Sequence, residues 1–314
     1  MAQLLIAGCG YVGAALAAQL AADGHRVLGL RRNPRGLPAP VVPVAADLTD
    51  RAALARALDA VGGPLDALVY AAAPGAAADD AYRAAYVDGL RHALEVVAER
   101  GERLRRVLFT SSTSVYAQSA GEWVDEESAT EPRGFRGARV LEAERMLFAS
   151  GVPATALRLG GIYGPGRTRL VERVRSGRAP ARPGCYTNRI HRDDAAGALR
   201  HLLGLALAGE RVAPIYLGVD DDPADEATVA RWLAERLAVP PPGASEASRS
   251  SGVSLQASEA SAQRGEAERS SSGLASAQQS NKRCRNARLR ATGYRFRYPT
   301  FREGYAALLT SPGS

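Results

Sequence analysis

The chain of 314 residues holds a single lysine, Lys282, against 39 arginines, so any motif that needs an ammonium group must use that one residue. Cysteine is equally sparse. Cys9, Cys185 and Cys284 are widely spaced and odd in number, which argues against a disulfide framework and against a zinc site. The four histidines, His25, His92, His191 and His201, show no metal-ligand spacing, and no metal is expected. Long apolar runs are missing too: no stretch of about 18 residues escapes a charge or a Gly/Pro break, which excludes a membrane-spanning helix. The apolar N-terminus, Met1 to Leu20, has no basic residue before its apolar run and is punctuated by Gly8, Gly10 and Gly13, so it does not read as a signal peptide, and a cytoplasmic location is expected.

What is present is ordinary globular material. With 46% hydrophobic and 23% charged residues the chain has enough apolar surface for a core, and its length suits two domains or one large α/β domain. The net charge of +7 is concentrated at the end: residues 282–314 carry Lys282 and seven arginines against Glu303 alone, so the preceding residues sum to zero. A local basic segment of this kind suits a phosphorylated small molecule at least as well as nucleic acid, the weakest of the readings, and a solvated tail is the plain alternative.

Apolar runs alternate with helical patterns through the first half. Strands are expected at Gln3–Ala7, Arg26–Leu30, Ala67–Ala72, Arg106–Thr110 and Ala154–Leu159. Helices are expected at Tyr11–Ala22, at Arg51–Ala60 with Thr49 or Asp50 as its cap, at Asp79–Arg100 as one long element, and at Arg139–Ala149. That order implies right-handed βαβ units and a doubly wound, mostly parallel sheet. Further on, helices are expected at Asp193–Leu207 and Thr228–Ala238 and a strand at Ile215–Leu217. Residues 241–280 contain 12 serines and only three large apolar residues, Val253, Leu255 and Leu274, and read as a flexible insertion.

Gly8-Cys9-Gly10-Tyr11-Val12-Gly13 follows the first strand and opens the first helix, the context in which G-x-G-x-x-G signals a Rossmann-type dinucleotide site. The first glycine permits the turn, the second lets a pyrophosphate approach the backbone, and the third allows helix–strand packing. Cys9 is expected to be a small packing residue. Where a carboxylate would bind a ribose 2′-hydroxyl, this chain has Arg31-Arg32. Two guanidinium groups suit a 2′-phosphate, so NADP(H) is expected over NAD(H).

Read in order, Gly8–Gly13, Ala46–Thr49, Tyr70–Ala73, Thr110–Tyr116, Leu157–Gly166 and His191–Asp194 resemble the extended short-chain dehydrogenase/reductases, the NAD-dependent epimerase/dehydratase group. The segment Asn281–Leu289, with Tyr298-Pro299 and Arg302–Tyr305, is similar to an atypical branch of that group. The resemblance implies that Tyr11, Val12, Ala71, Ala72, Ala73 and Ser111 line the cofactor, that Asp47 and Leu48 flank the adenine, and that Gly160, Gly161 and Ile162 face the nicotinamide. It implies that Ser112 is the catalytic serine that hydrogen-bonds the substrate oxygen. Without the resemblance, Ser111–Ser114 reads as a strand-end cap.

Two departures stand out. Ala7 occupies the first glycine position of the family's G-x-x-G-x-x-G. More seriously, the family's Tyr-x-x-x-Lys, in which the lysine binds the ribose and lowers the phenol's pKa, cannot exist here, because Gln278 stands four residues before the sole lysine. The corresponding positions are Arg136 and Val140, or Phe135 and Arg139. Tyr116, Tyr163 and His191 are the candidate substitutes, Tyr163 with Arg167 four residues on. Lys282, Arg283 and Arg285 are candidates for a substrate phosphate, since family members often take nucleotide sugars.

The expectation is a Rossmann domain over residues 1–164, with 190–217 returning to it, and a small C-terminal substrate domain within 165–314. Its function is read as hydride transfer between NADP(H) and an anionic small molecule, oxidoreductase or epimerase-like, by a monomer or homodimer. The alternative is a cofactor-binding sensor without catalysis.

Overall fold

Strands that are apolar on both faces need helices above and below them. Ala67–Tyr70 and Ala154–Leu159 are buried along their whole length, and Leu4–Ala7 in the first strand likewise. The computed structural model, which describes residues 1–242 and 280–310, resolves this demand as a seven-stranded parallel sheet in the order β10-β7-β5-β4-β1-β2-β3. Its strands are β1 (Gln3–Ala7), β2 (Arg26–Arg31), β3 (Val42–Ala45), β4 (Ala67–Tyr70), β5 (Arg106–Ser112), β7 (Ala154–Leu159) and β10 (Ile215–Gly218). The chain starts at β1, winds outward through β2 and β3, then crosses back to β4. The doubly wound α/β fold expected from the alternation is the one found.

One face of the sheet is covered by α1 (Tyr11–Ala22) and α7 (Arg192–Leu207), whose Leu16, Leu20, Leu199 and Leu202 are fully buried against Leu4, Ile6 and Leu108. The other is covered by α2 (Arg51–Val61), α4 (Gly89–Glu99) and α5 (Phe135–Ala149), through Leu54, Leu58, Leu90, Val96, Val140 and Leu147. Asp50 caps α2 by accepting from the Ala53 N–H at 2.9 Å. A third apolar cluster joins α6 (Arg169–Arg175), α8 (Glu226–Leu237) and α10 (Phe301–Thr310) through Val171, Val174, Leu233, Phe301 and Tyr305. Short parallel pairs complete the architecture: β6 (Glu122–Val124) with β11 (Lys282–Cys284), and β8 (Gly161–Tyr163) with β9 (Arg189–His191); α9 (Ala287–Ala291) follows β11. The Ser-rich stretch at 241–280 lies, apart from its ends, outside the described residues.

The single helix expected at Asp79–Arg100 is not continuous. It runs as α3 (Asp79–Tyr82), a π-helical turn at Arg83–Asp88, and then α4. The cause is a side chain. The buried Tyr70 hydroxyl donates to the Ala85 carbonyl at 2.5 Å, and a Cβ on Gly89 would lie 2.4 Å from that hydroxyl oxygen. The Gly89 N–H is thereby displaced to the Ala84 carbonyl, five residues back.

Candidate active site

The switch point of a doubly wound sheet lies where the chain reverses direction, here between β1 and β4, and ligands bind outside the carboxyl ends of the strands there. A cleft of about 830 Å³ opens at that point. Its near wall is the glycine turn. Gly8 has φ of +85°, and a Cβ there would stand 2.3 Å from the Ala72 backbone nitrogen. At Gly13 a Cβ would meet the Gly8 carbonyl oxygen at 2.8 Å and the Ile6 side chain at 3.1 Å, so α1 rests directly on β1. Gly10 differs: its nearest neighbour would be 3.8 Å away, so its lack of a side chain serves open space rather than packing. Gly10 also starts α1 without a side-chain cap, and the first turn holds no acidic residue. The N–H groups from Tyr11 to Gly13 therefore keep their hydrogen-bonding capacity and the positive end of the helix dipole. Cys9, fully buried, packs beneath the turn, and burial pushes its thiol up to about 11.

Arg31, Arg32, Asp47, Leu48, Ala71, Ala72 and Ala73 line the same cleft. The Arg31 guanidinium leans on the Cys9 carbonyl at 3.4 Å and on the Arg35 carbonyl, and its Nε is buried with no hydrogen-bond partner. Asp47 accepts from the Thr49 N–H at 2.9 Å and hydroxyl at 2.8 Å through one oxygen, bonds that hold its carboxyl below the usual range and leave the other oxygen for an amino donor. A bare helix N-terminus and an open glycine face fit the phosphate chain of a dinucleotide.

At the far end β5 delivers two serines with opposite commitments. Ser111 donates its hydroxyl to the buried Glu144 carboxylate, which is also gripped by Arg158 at 2.7 and 2.9 Å. Arg158 donates in turn to the Tyr116 hydroxyl at 2.7 Å, and Tyr116 donates to the Asp125 carbonyl at 2.7 Å. Ser112 instead accepts, through Oγ, from the Ser114 N–H at 3.1 Å, which leaves its own hydrogen available. Both serines line the cleft, as do Gly160 and Ile162.

The candidate proton donors fare unequally. Tyr116 is buried, its phenol is held in the Arg158 network, burial pushes it up to about 12, and it lines neither cleft described here. His191 is buried between Tyr298, at 4.2 Å between rings, and Tyr163, at 5.4 Å; burial pulls it down to about 4 and keeps it neutral, and it too is outside both clefts. Tyr163 faces a second cleft of about 850 Å³ which shares Ile162 and Arg167 with the first. Its ring stacks on Tyr305 at 4.5 Å and its hydroxyl abuts Gly304 without a partner. Neither Phe135, Arg136, Arg139 nor Val140 lines a cleft; Arg139 grips Asp79 through two bonds of 2.7 and 2.8 Å, and Val140 is in the core.

The basic segment is also divided by the fold. Lys282 lines the second cleft, buried, donating to the Tyr116 carbonyl at 3.4 Å and to Ser280, and desolvation lowers its pKa. Arg283 and Arg285 do not line it: they stack on the exposed Trp123 ring at 4.9 and 5.0 Å. Arg288, Arg290, Arg297 and Arg302 meet carboxylates of Glu126 and Glu127, Asp221, Asp193 and Asp222. Four of the eight cations of the basic segment thus meet carboxylates in space. Tyr82, which no motif marks, is in the site, and so is Arg167, expected only as the cation four residues after Tyr163. Arg167 lines both clefts, its guanidinium 4.0 Å above the Tyr11 ring, and Tyr82 lines the first. Among the described residues, no three potential metal ligands cluster, and no helix is long and apolar enough to cross a membrane.

Comparison with known proteins gives a consistent picture. A Streptomyces 3-diazoavenalumate denitrifying reductase is 32% identical over 264 residues, covering 76% of this chain and 83% of its own. A candidate NAD-dependent epimerase/dehydratase of Methylobacillus flagellatus is 35% identical, with a TM-score of 0.74 and coverage of 98% of this chain and 97% of its own. The Bordetella bronchiseptica enzyme WbmG, solved with NAD, shares the fold at 18% identity and a TM-score of 0.72, over 98% of this chain and 93% of its own. The model of the NAD-dependent epimerase/dehydratase family matches residues 4–203, and the chain belongs to that family.

Proposed function

We propose that the chain is an NADP(H)-dependent oxidoreductase, reductase or epimerase-like, acting by hydride transfer on an anionic small molecule. The observation that carries this reading is one cleft lined together by the glycine turn, Arg31 and Arg32, and Ser112. It continues past Ile162 and Arg167 into a second cleft lined by Arg169, Arg173, Arg189 and Lys282. A nicotinamide bound there gives or takes a hydride at its C4. The turn and the α1 N-terminus hold the phosphates, Arg31 and Arg32 hold a 2′-phosphate, and Gly160 and Ile162 border the ring, with Gly161 turned to the second cleft. Ser112 donates its uncommitted hydroxyl to the substrate oxygen, and the cations of the second cleft attract the substrate's anionic group, for which a nucleotide sugar is one candidate.

Related proteins supply partial support. WbmG has been solved with NAD and with NAD and UDP, which supports a nicotinamide cofactor, and the Streptomyces relative is a reductase. The preference for NADP(H) rests on Arg31 and Arg32 alone. One charge-assisted contact contributes about 1.5–3 kcal/mol, roughly a 10- to 150-fold preference. Phe135 and the Asp79-bound Arg139 favour the competing reading, a cofactor-binding sensor without turnover. Calorimetric titration with NADPH and NADH, followed by NADPH oxidation against a panel of aldehydes, α-dicarbonyls and nucleotide-linked keto sugars, tests both. NADPH binding at least about tenfold tighter than NADH, with turnover abolished by Ser112→Ala, is the expected result. Binding without turnover selects the sensor; tighter NADH overturns the cofactor assignment.

A further inference from the structure

We infer that Tyr82 is the proton donor of the cleft, a phenol presented from α3. The inference rests on the oxidoreductase reading above and names the acid that reading lacks.

Seven cleft-lining hydroxyl groups compete with Tyr82. Tyr11 donates to the Pro165 carbonyl, Thr49 to Asp47, Tyr70 to the Ala85 carbonyl, Thr110 to the Tyr70 carbonyl and Ser111 to Glu144. Ser112 keeps its hydrogen, but an alcohol is too weak an acid to surrender it near neutral pH and serves better as a hydrogen-bond donor. Tyr86, half-buried like Tyr82, turns inward onto the core and packs edge-on against Phe109 at 6.1 Å between rings, and burial pushes its phenol up to about 12. Tyr82 remains, half-buried, its hydroxyl making no hydrogen bond within the described residues.

Its ring is fixed from two sides, tilted on Tyr86 at 5.6 Å and edge-on to Phe135 at 5.4 Å. Phe135 opens α5, and two residues on Gly137 lies so close to the Ser114 carbonyl that a Cβ would be 2.2 Å from its oxygen. Tyr82 and Ser112 thus line the same cleft, and the first turn of α5, which holds the Tyr82 ring, also touches the turn that begins at Ser112. The tether to α5 is ionic as well: Asp79, one turn earlier on α3, takes both arms of Arg139, and Arg83 approaches Glu142 at 3.7 Å. Directly after Tyr82 the π-helical turn set by Tyr70 begins, and turns of this kind often mark functional sites.

The step balances without another reactant. Hydride from NADPH C4 bonds to the carbonyl carbon, the carbonyl π pair moves to oxygen, and the Tyr82 O–H bond breaks as its proton passes to that oxygen. NADPH is oxidised to NADP⁺, the carbonyl is reduced to the alcohol, and the phenolate recovers a proton from water at the open cleft mouth.

The test uses the full chain and its Tyr82→Phe and Tyr86→Phe variants. Phenolate absorbance near 295 nm is titrated against pH in the free protein and with saturating NADP⁺ or NADPH. A nicotinamide cation beside a phenol favours phenolate. One phenol of the wild type should ionise at least about one pH unit lower with NADP⁺ than with NADPH. Tyr82→Phe should remove that shift, and Tyr86→Phe should keep it. On whichever panel carbonyl the wild type reduces, Tyr82→Phe should lose about 100-fold or more in kcat with KM and NADPH affinity nearly unchanged. NADP⁺ binding without the shift, or a shift that survives in Tyr82→Phe, overturns the assignment and leaves the cofactor site intact. A wild type that binds no NADP⁺, or binds NADPH but reduces nothing in the panel, overturns the oxidoreductase reading and Tyr82 with it.

Discussion

At one end of the cleft Gly8, Gly10 and the first turn of α1 present main-chain groups, and what matters there is the absence of side chains. At the other end Ser111, Glu144, Arg158 and Tyr116 form a buried chain of side-chain bonds under Ser112. The first end depends on backbone shape and tolerates almost no added atom at Gly8. The second depends on partners 14 to 42 residues apart, and most of its polar groups hold one another rather than a ligand. Proximity to a catalytic position is therefore a poor guide to role: of two adjacent serines, one is bound into the scaffold and its neighbour is available.

The sharpest way to break this contrast is at Glu144. Its carboxylate and the Arg158 guanidinium are 2% and 3% exposed, so Glu144→Ala leaves a buried cation without its counter-charge. A loss of about 3–5 kcal/mol in urea unfolding is expected, whereas an Arg158→Met, Glu144→Leu double replacement should recover most of it. NADPH affinity of the folded fraction should stay close to wild type. A large selective loss of affinity instead would make this network part of the ligand site.

The glycine turn offers a matched pair with opposite signatures. Gly8→Ala forces a side chain into positive φ and onto the Ala72 backbone, and should cost about 3 kcal/mol or more of stability. Gly10→Ala meets nothing closer than 3.8 Å, so stability should change by less than about 0.5 kcal/mol. Its methyl nevertheless occupies the phosphates' approach, and NADPH binding should weaken about tenfold or more by calorimetry. Equal affinity in Gly10→Ala and wild type would remove the phosphate assignment from this turn.

These differences also explain what could be read before any coordinates. The sheet and the glycine turn were legible because backbone constraint and strand burial write themselves locally, as Gly at 8 and as apolar runs at Ala67–Tyr70. The π-helical turn was not, because its cause is the Tyr70 hydroxyl, 15 residues away from the carbonyl it takes. Nor was the fate of the arginines after 282: Arg288, Arg290 and Arg302 find carboxylates up to 161 residues distant, a pairing that only tertiary structure creates. Tyr116 sits within a motif, yet its role is decided by Arg158. Tyr82 carries no motif at all, and only its place in the cleft marks it.

Between the two ends the contrast can be sharpened at Arg31 and Arg32, where a 2′-phosphate is proposed to bind. Arg32→Ala should reduce NADPH affinity by about tenfold and leave NADH binding within about twofold, as expected for loss of a single charge-assisted contact. Arg31→Ala should do the same with an added stability change of about 1 kcal/mol, because Arg31 also holds the Cys9 and Arg35 carbonyls. An equal loss for both cofactors would place these guanidinium groups on the shared pyrophosphate instead.

The smallest effect is expected at Arg167, where the two clefts meet. Its guanidinium lies over Tyr11, whose hydroxyl is fixed by the Pro165 carbonyl at 2.9 Å, so the loop from Tyr163 to Arg167 is clasped to the start of α1. An exposed cation–π contact contributes about 0.5–1 kcal/mol, and Arg167→Ala should lower stability by no more than that. Arg167→Lys should keep the charge but lose the planar stacking. If Arg167 serves the cofactor, both variants should weaken NADPH by about two- to fivefold; if it serves the substrate's anionic group, NADPH affinity should hold and KM alone should rise, less in Arg167→Lys than in Arg167→Ala. The position shared by both clefts thus reports which end of the site the loop belongs to.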